Sequence, residues 1–260
     1  MRASAKPPPS AWYVISLRPV GQHGGVRRAA AQAGLRCVAI STMRIAPQLD
    51  ARTQSALRSA LAAPIVVFTS PNAVRCAGML ATLRGKRGRR VFAIGAGTAA
   101  ALRRAGIADV QVPARADSDA LLALEALRDP DGRRVGLVTA PGGRDRIAPG
   151  LRARGADLVR ADVYARAPVP PSARAWNALR ATRGKPAIAL SSGDALETLM
   201  AHVPDDLRSR VLGARILAGS ERLADIARGH GFTDIRVAAG ARPADLLAAA
   251  RDGRPRRAIR

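Results

Sequence analysis

Three pairs of similar segments recur along the 260 residues in one order, each pair 121 to 125 residues apart. Gly106-Ile107-Ala108-Asp109-Val110-Gln111-Val112 resembles Gly231-Phe232-Thr233-Asp234-Ile235-Arg236-Val237 at a spacing of 125. The same spacing sets Leu121-Leu122-Ala123 on Leu246-Leu247-Ala248. Phe68-Thr69-Ser70-Pro71-Asn72-Ala73-Val74 resembles Leu190-Ser191-Ser192-Gly193-Asp194-Ala195-Leu196 at 122. At 121, Gly34 falls on Gly155, Val38 on Val159 and Pro47 on Pro168. Chance is a fair account of any one pair and a poor account of three in order. The spacing is too long for a solenoid period. The chain therefore reads a–b–a′–b′, two similar domains built from two copies of one unit. The repeat leaves open which a joins which b. The extended stretches 36–47 and 157–168 both end in proline and are long enough to run side by side; one domain would then combine a with b′ and the other b with a′.

Within each copy, short runs rich in Val, Ile and Leu alternate with stretches rich in Ala, Leu and Arg. Strands are expected at 13–17, 35–40, 65–69, 91–94, 109–112, 135–139, 156–163, 187–191, 215–218 and 235–238, with helices between them. Such alternation argues an α/β fold with parallel sheets covered on both faces. The proline-rich segment 1–10 and the segment 251–260 are expected to be disordered tails.

Lys+Arg is 43 against 19 Asp+Glu, a formal net charge of +24, which points to an anionic partner: nucleic acid, anionic lipid or a polyanionic small molecule. Lysine occurs only at 6, 86 and 185, so nearly all of this charge is arginine, a pattern that a GC-rich coding sequence also yields. Aromatic residues make up 3% of the chain, too few for a base-stacking platform, so a nucleic-acid or phospho-ligand binding protein is the secondary reading. No apolar run of about 18 residues marks a membrane span. Cys37 and Cys76 lack metal-type spacing, so a reducing cytoplasm is expected. His23, His202 and His230 lie far apart, and no metal site is expected. No Ser-His-Asp constellation, Gly-x-Ser-x-Gly elbow or Gly-Lys-Ser/Thr loop is legible. Gly95-Ala96-Gly97-Thr98 fits a dinucleotide turn only loosely, because Asp117 falls beyond the following strand; a tight turn with Thr98 as helix N-cap is the simpler reading.

Six turns that each follow a strand and open a helix carry hydroxyls or arginine: 16–19, 69–72, 95–98, 139–144, 191–194 and 219–221. In parallel sheets such turns share the carboxyl edge, where free N–H groups and helix dipoles favour anions. Any one of them can be a simple cap; together they describe a site for a multiply anionic ligand. Tyr164 stands on the second extended stretch beside Arg166. A phenol keeps its proton at neutral pH and can donate it, while the alternative is a packing role.

Several short motifs, taken in order, resemble the uroporphyrinogen-III synthase family: Arg18-Pro19, Phe-Thr-Ser-Pro-Asn-Ala-Val at 68–74, Ile-Gly-Ala-Gly-Thr-Ala at 94–99, Pro-Gly-Gly-Arg-Asp at 141–145, Val-Tyr-Ala-Arg at 163–166, Leu-Ser-Ser at 190–192, Gly-Ser-Glu-Arg-Leu-Ala at 219–224 and Gly-Phe at 231–232. The resemblance runs from about residue 12 to 250. The first strand departs from it: Ile-Ser-Leu-Arg-Pro stands where the family often has Thr-Arg-Pro, which puts a hydroxyl role just before Arg18 in doubt. The resemblance implies two flavodoxin-like domains, 11–42 plus 172–250 and 48–160, joined by a two-stranded connector with the active site in the cleft between them. It implies a cytoplasmic, monomeric, cofactor-independent cyclising lyase of tetrapyrrole, and so porphyrin and heme, biosynthesis, acting on hydroxymethylbilane. It implies Tyr164 as the catalytic residue. Arg18, Thr69, Ser70, Asn72, Thr98, Arg144, Ser191, Ser192 and Ser220 are the expected substrate-binding residues, with no metal, nucleic acid or membrane partner.

Overall fold

A computed structural model describes residues 12–115, 117–142 and 146–250. The two expected tails and Arg144 lie outside the described residues. The chain divides into two compact units, one of residues up to Arg44 and from Ala167 onward, the other Ile45–Arg166.

The first unit opens with β1 (Trp12–Ser16), α1 (Gly24–Gln32) and β2 (Arg36–Ala39), and β3 (Met43–Pro47) leads out of it. The second unit contains α2 (Ala51–Ala62), β4 (Ile65–Phe68), α3 (Pro71–Leu80), β5 (Arg90–Ala93), α4 (Ala96–Arg104), α5 (Ser118–Leu122) and α6 (Glu125–Arg128). It closes with β6 (Arg134–Thr139), α7 (Ile147–Ala153) and β7 (Asp157–Asp162), and β8 (Tyr164–Pro168) leads back. The first unit then resumes with α8 (Ala173–Ala181), β9 (Lys185–Leu190), α9 (Gly193–His202), α10 (Asp205–Leu212), β10 (Arg215–Ala218), α11 (Glu221–Gly229), β11 (Ile235–Val237) and α12 (Pro243–Ala248).

The first unit is one parallel sheet in the order β2-β1-β9-β10-β11. Tyr13 and Ile15 face a core shared with α8, α9, α10 and α11, while Val14 between them faces α1 and α12. Burial on both faces is why these strands read as unbroken apolar runs. The second unit is a parallel sheet in the order β7-β6-β4-β5. Val66 and Phe68 face α2, α3 and α4; Ile65 and Val67 face α5, α6 and α7. Gly136 of β6 is what lets α2 lie close: a Cβ there would stand 2.0 Å from the Ala60 carbonyl oxygen.

The repeat spacings reproduce the strand registers. Tyr13 pairs with Arg36 as Arg134 pairs with Asp157. Val14 pairs with Ala187 as Val135 pairs with Ile65. Ala187 pairs with Arg215 as Ile65 pairs with Arg90. The second sheet is thus a circular permutation of the first, with a joined to b′ and b to a′. One expected strand is absent as such: 109–112 contributes only the bridge Gln111–Phe92, the counterpart of Arg236–Leu217. Pro113 has no N–H to continue the ladder.

Both crossings of the chain between the units lie in β3 and β8, which form a two-stranded sheet of their own. The Val169 N–H bonds the Thr42 carbonyl at 3.0 Å and the Gln48 N–H bonds the Val163 carbonyl at 3.0 Å, so the pair runs antiparallel. Among the described residues no helix is long and apolar enough to cross a membrane.

Candidate active site

In an open parallel sheet, ligands collect outside the carboxyl ends of the strands, where successive connections leave in opposite directions. In the second unit that point lies between β4 and β6. Thr69 follows β4 and Thr139 ends β6, and the Thr69 hydroxyl donates to Thr139 Oγ1 at 2.8 Å. Ser70 caps α3: its Oγ accepts the Ala73 N–H at 3.0 Å, and Pro71 occupies the first turn, where no N–H is needed. Asn72 is half-buried and its Oδ1 accepts from Arg75.

Tyr164, the first residue of β8, is 1% exposed, and its hydroxyl lies 3.0 Å from Ser70 Oγ. Arg166, two residues on, donates to the phenol oxygen at 3.4 Å, with its guanidinium carbon 5.7 Å from the ring centroid. Its other terminal nitrogen bonds the Gly142 carbonyl at 3.5 Å. The Tyr164–Ser70 pair holds two hydroxyl protons and only one can lie between the two oxygens. The other is free to be given away.

Thr98 is not the cap of α4. That position belongs to Gly95, and Thr98 sits in the first turn with its N–H bonded to the Gly95 carbonyl at 3.1 Å and only 2% of its surface exposed. Extended backbone at Gly95 starts the helix three residues earlier than a Thr98 cap would.

The first unit repeats the arrangement between β1 and β9. Ser191 and Ser192 follow β9, and Ser220 follows β10; Ser192 and Ser220 hold the N-cap positions of α9 and α11 without making a side-chain cap bond. Their hydroxyls are half-buried beside helix N-termini that favour anions. Arg18 follows β1. Its Nη2 donates to the Ala241 carbonyl at 2.9 Å, burial lowers its pKa, and among the described residues it pairs with no carboxylate. Leu17, just before Arg18, packs in the core at 5% exposure and has no hydroxyl to offer the site.

Two features escaped the sequence. Thr139 was legible only as part of a turn. In the sequence His23 stands far from the other histidines, yet its Nδ1 lies 2.9 Å from Ser16 Oγ and its Nε2 2.8 Å from Ser41 Oγ. The signal is present only once β1 and β2 pair with Ser16 opposite Ala39, which brings the two serines to one edge. Among the described residues no group of three His, Cys, Asp or Glu gathers as a metal site.

The family model for uroporphyrinogen-III synthase HemD matches residues 26–248. Uroporphyrinogen-III synthase of Salmonella typhimurium is 36% identical over 166 residues, covering 62% of this chain and 66% of that protein. The Escherichia coli enzyme of the same name is 35% identical over 164 residues, covering 61% and 65%. The chain thus spans just under two thirds of the length of these relatives. The uroporphyrinogen-III synthetase structure from Helicobacter pylori 26695 superposes with a TM-score of 0.59 at 14% identity, covering 92% of this chain and 97% of that one, a likeness of fold. With the family match reaching from α1 to the end of α12, the chain belongs to the uroporphyrinogen-III synthase family.

Proposed function

We propose that the chain is a cofactor-independent uroporphyrinogen-III synthase that cyclises hydroxymethylbilane. The observation that carries this reading is the hydroxyl pair of Tyr164 and Ser70 at the carboxyl edge of the second sheet. The substrate bears an acetate and a propionate on each of four pyrroles, and the hydroxyl- and arginine-bearing turns suit such a polyanion. Ser191, Ser192 and Ser220, with Arg18, receive carboxylates at the first unit's turns. Half-buried Thr69 and Asn72 receive carboxylates at the second unit's turns, while Thr98, at 2% exposure, is too buried to reach the substrate and packs in the first turn of α4.

Tyr164 is too buried to meet the substrate broadside, whereas Ser70 is half-buried. The proton therefore passes from the Tyr164 O–H to Ser70 Oγ while Ser70 gives its own proton to the substrate's terminal hydroxyl. The C–O bond breaks, water leaves, and the terminal pyrrole takes up the positive charge. The last ring attacks through its substituted carbon to give a spiro intermediate. Fragmentation and reclosure invert that ring, and the proton released on rearomatisation restores Tyr164. Arg166 holds the phenol oxygen while it is short of a proton. The remaining work is holding a flexible chain in the one conformation that closes this way. Free Cys37 and Cys76 suit a reducing cytoplasm.

The test is the product isomer. The purified chain, given hydroxymethylbilane without metal or nucleotide, yields the type III isomer. A folded sample that leaves only the type I isomer of spontaneous closure contradicts the reading.

A further inference from the structure

The loop between β1 and α1 carries Arg18 and is tied down at three places. Gly21 turns it with φ of 76°, the left-handed region that favours glycine. The Val20 N–H bonds the Met43 carbonyl of β3 at 2.9 Å. His23, in the N-cap position of α1, makes no cap bond; its ring instead links Ser16 Oγ, at the end of β1, to Ser41 Oγ, just past β2. Ser16 is fully buried and His23 is 7% exposed. A neutral imidazole has one donor and one acceptor, so in either tautomer it donates to one serine and accepts from the other. The charged groups facing it are Arg27, on the next turn of α1, and Arg18. Cys37 of β2 faces the same Arg27, and Asp245 of α12, which packs on α1, is engaged by Arg242. Among the described residues no carboxylate acts on the ring to favour an imidazolium.

We propose that His23 is a positioning residue for substrate binding: its neutral ring clamps Ser16 to Ser41 and thereby holds the loop that presents Arg18. The proposal rests on the reading of Arg18 as a carboxylate-binding residue. The clamp also gives the Ser16 hydroxyl a use in a strand whose next residue, Leu17, has none to offer. His23 touches no substrate; it acts through the loop.

Steady-state kinetics with hydroxymethylbilane on four full-length variants test it. His23→Ala is expected to raise KM by about tenfold and change kcat by less than about twofold, since lost ground-state positioning appears in KM. His23→Gln, an uncharged side chain with one donor and one acceptor, is expected to bring KM back to within about threefold of the parent. Ser41→Ala, which removes one bond at a half-buried serine, is expected to raise KM by about threefold and serves where His23→Ala does not fold. Arg18→Ala separates the two levels. If it raises KM while His23→Ala and Ser41→Ala do not, the clamp is wrong and the reading of Arg18 stands. If Arg18→Ala leaves KM unchanged, both fall. A His23→Ala defect confined to kcat, or one that His23→Gln does not relieve, also overturns the proposal.

Discussion

At the scale of single residues, burial together with the Arg27 and Arg18 guanidiniums holds the His23 imidazole below its ordinary pKa. The unfolded chain therefore takes up a proton below about pH 6.5 that the folded chain refuses. Stability from this site is complete above that value and is lost as the pH falls toward the folded pKa. His23→Gln does not titrate, so its urea midpoint is expected to fall less between pH 7.5 and pH 5 than the parent's. Parallel falls would mean that another group governs the acid limb. Residues whose chemistry is local were legible before folding: Ser70 before Pro71 is a cap signature, and Arg166 stands two places from Tyr164. The Ser16–His23–Ser41 clamp and the Thr69–Thr139 pair were not, because each joins residues at the ends of different strands and, for His23, the start of α1, which meet only in the parallel register.

At the scale of elements, α2 lies against β6 through Gly136, where a methyl group would meet the Ala60 backbone. Gly136→Ala is expected to destabilise the chain by about 1–3 kcal/mol, the usual cost of overpacking. It should appear as a lowered urea midpoint with an unchanged slope. A neutral result would mean that the helix slides at no cost. The repeat carried more of the fold than periodicity did. Its spacings of 121, 122 and 125 return the hydrogen-bonded register of every strand pair in one sheet from the other, including the single bridge at Gln111. Periodicity erred where backbone conformation decides. Segment 109–112 reads as a strand but runs into Pro113, and α4 is capped by Gly95 rather than by Thr98 because extended backbone is all that its cap position requires.

At the scale of the whole molecule, a formal net charge of +24 is a self-repelling load spread over exposed arginines. Salt shortens the reach of that repulsion from about 30 Å at 0.01 M to about 8 Å at 0.15 M. The melting temperature is therefore expected to rise over this range. A fall would mean that the attraction in pairs such as Arg180–Asp206 outweighs the repulsion. The charge alone does not distinguish a polyanionic metabolite from nucleic acid; the preference for the metabolite comes from the order of motifs that resembles the family and belongs to the proposed function. The proposed function has the chain deliver one proton from Tyr164 through Ser70 to a departing hydroxyl. The most direct test is the rate of type III product formation by the parent chain, Tyr164→Phe and Ser70→Ala, with folding checked by far-UV circular dichroism. Both variants are expected to lose on the order of 10²-fold in kcat, the worth of a positioned proton donor, with KM within about threefold of the parent. Full turnover in either folded variant would contradict the account.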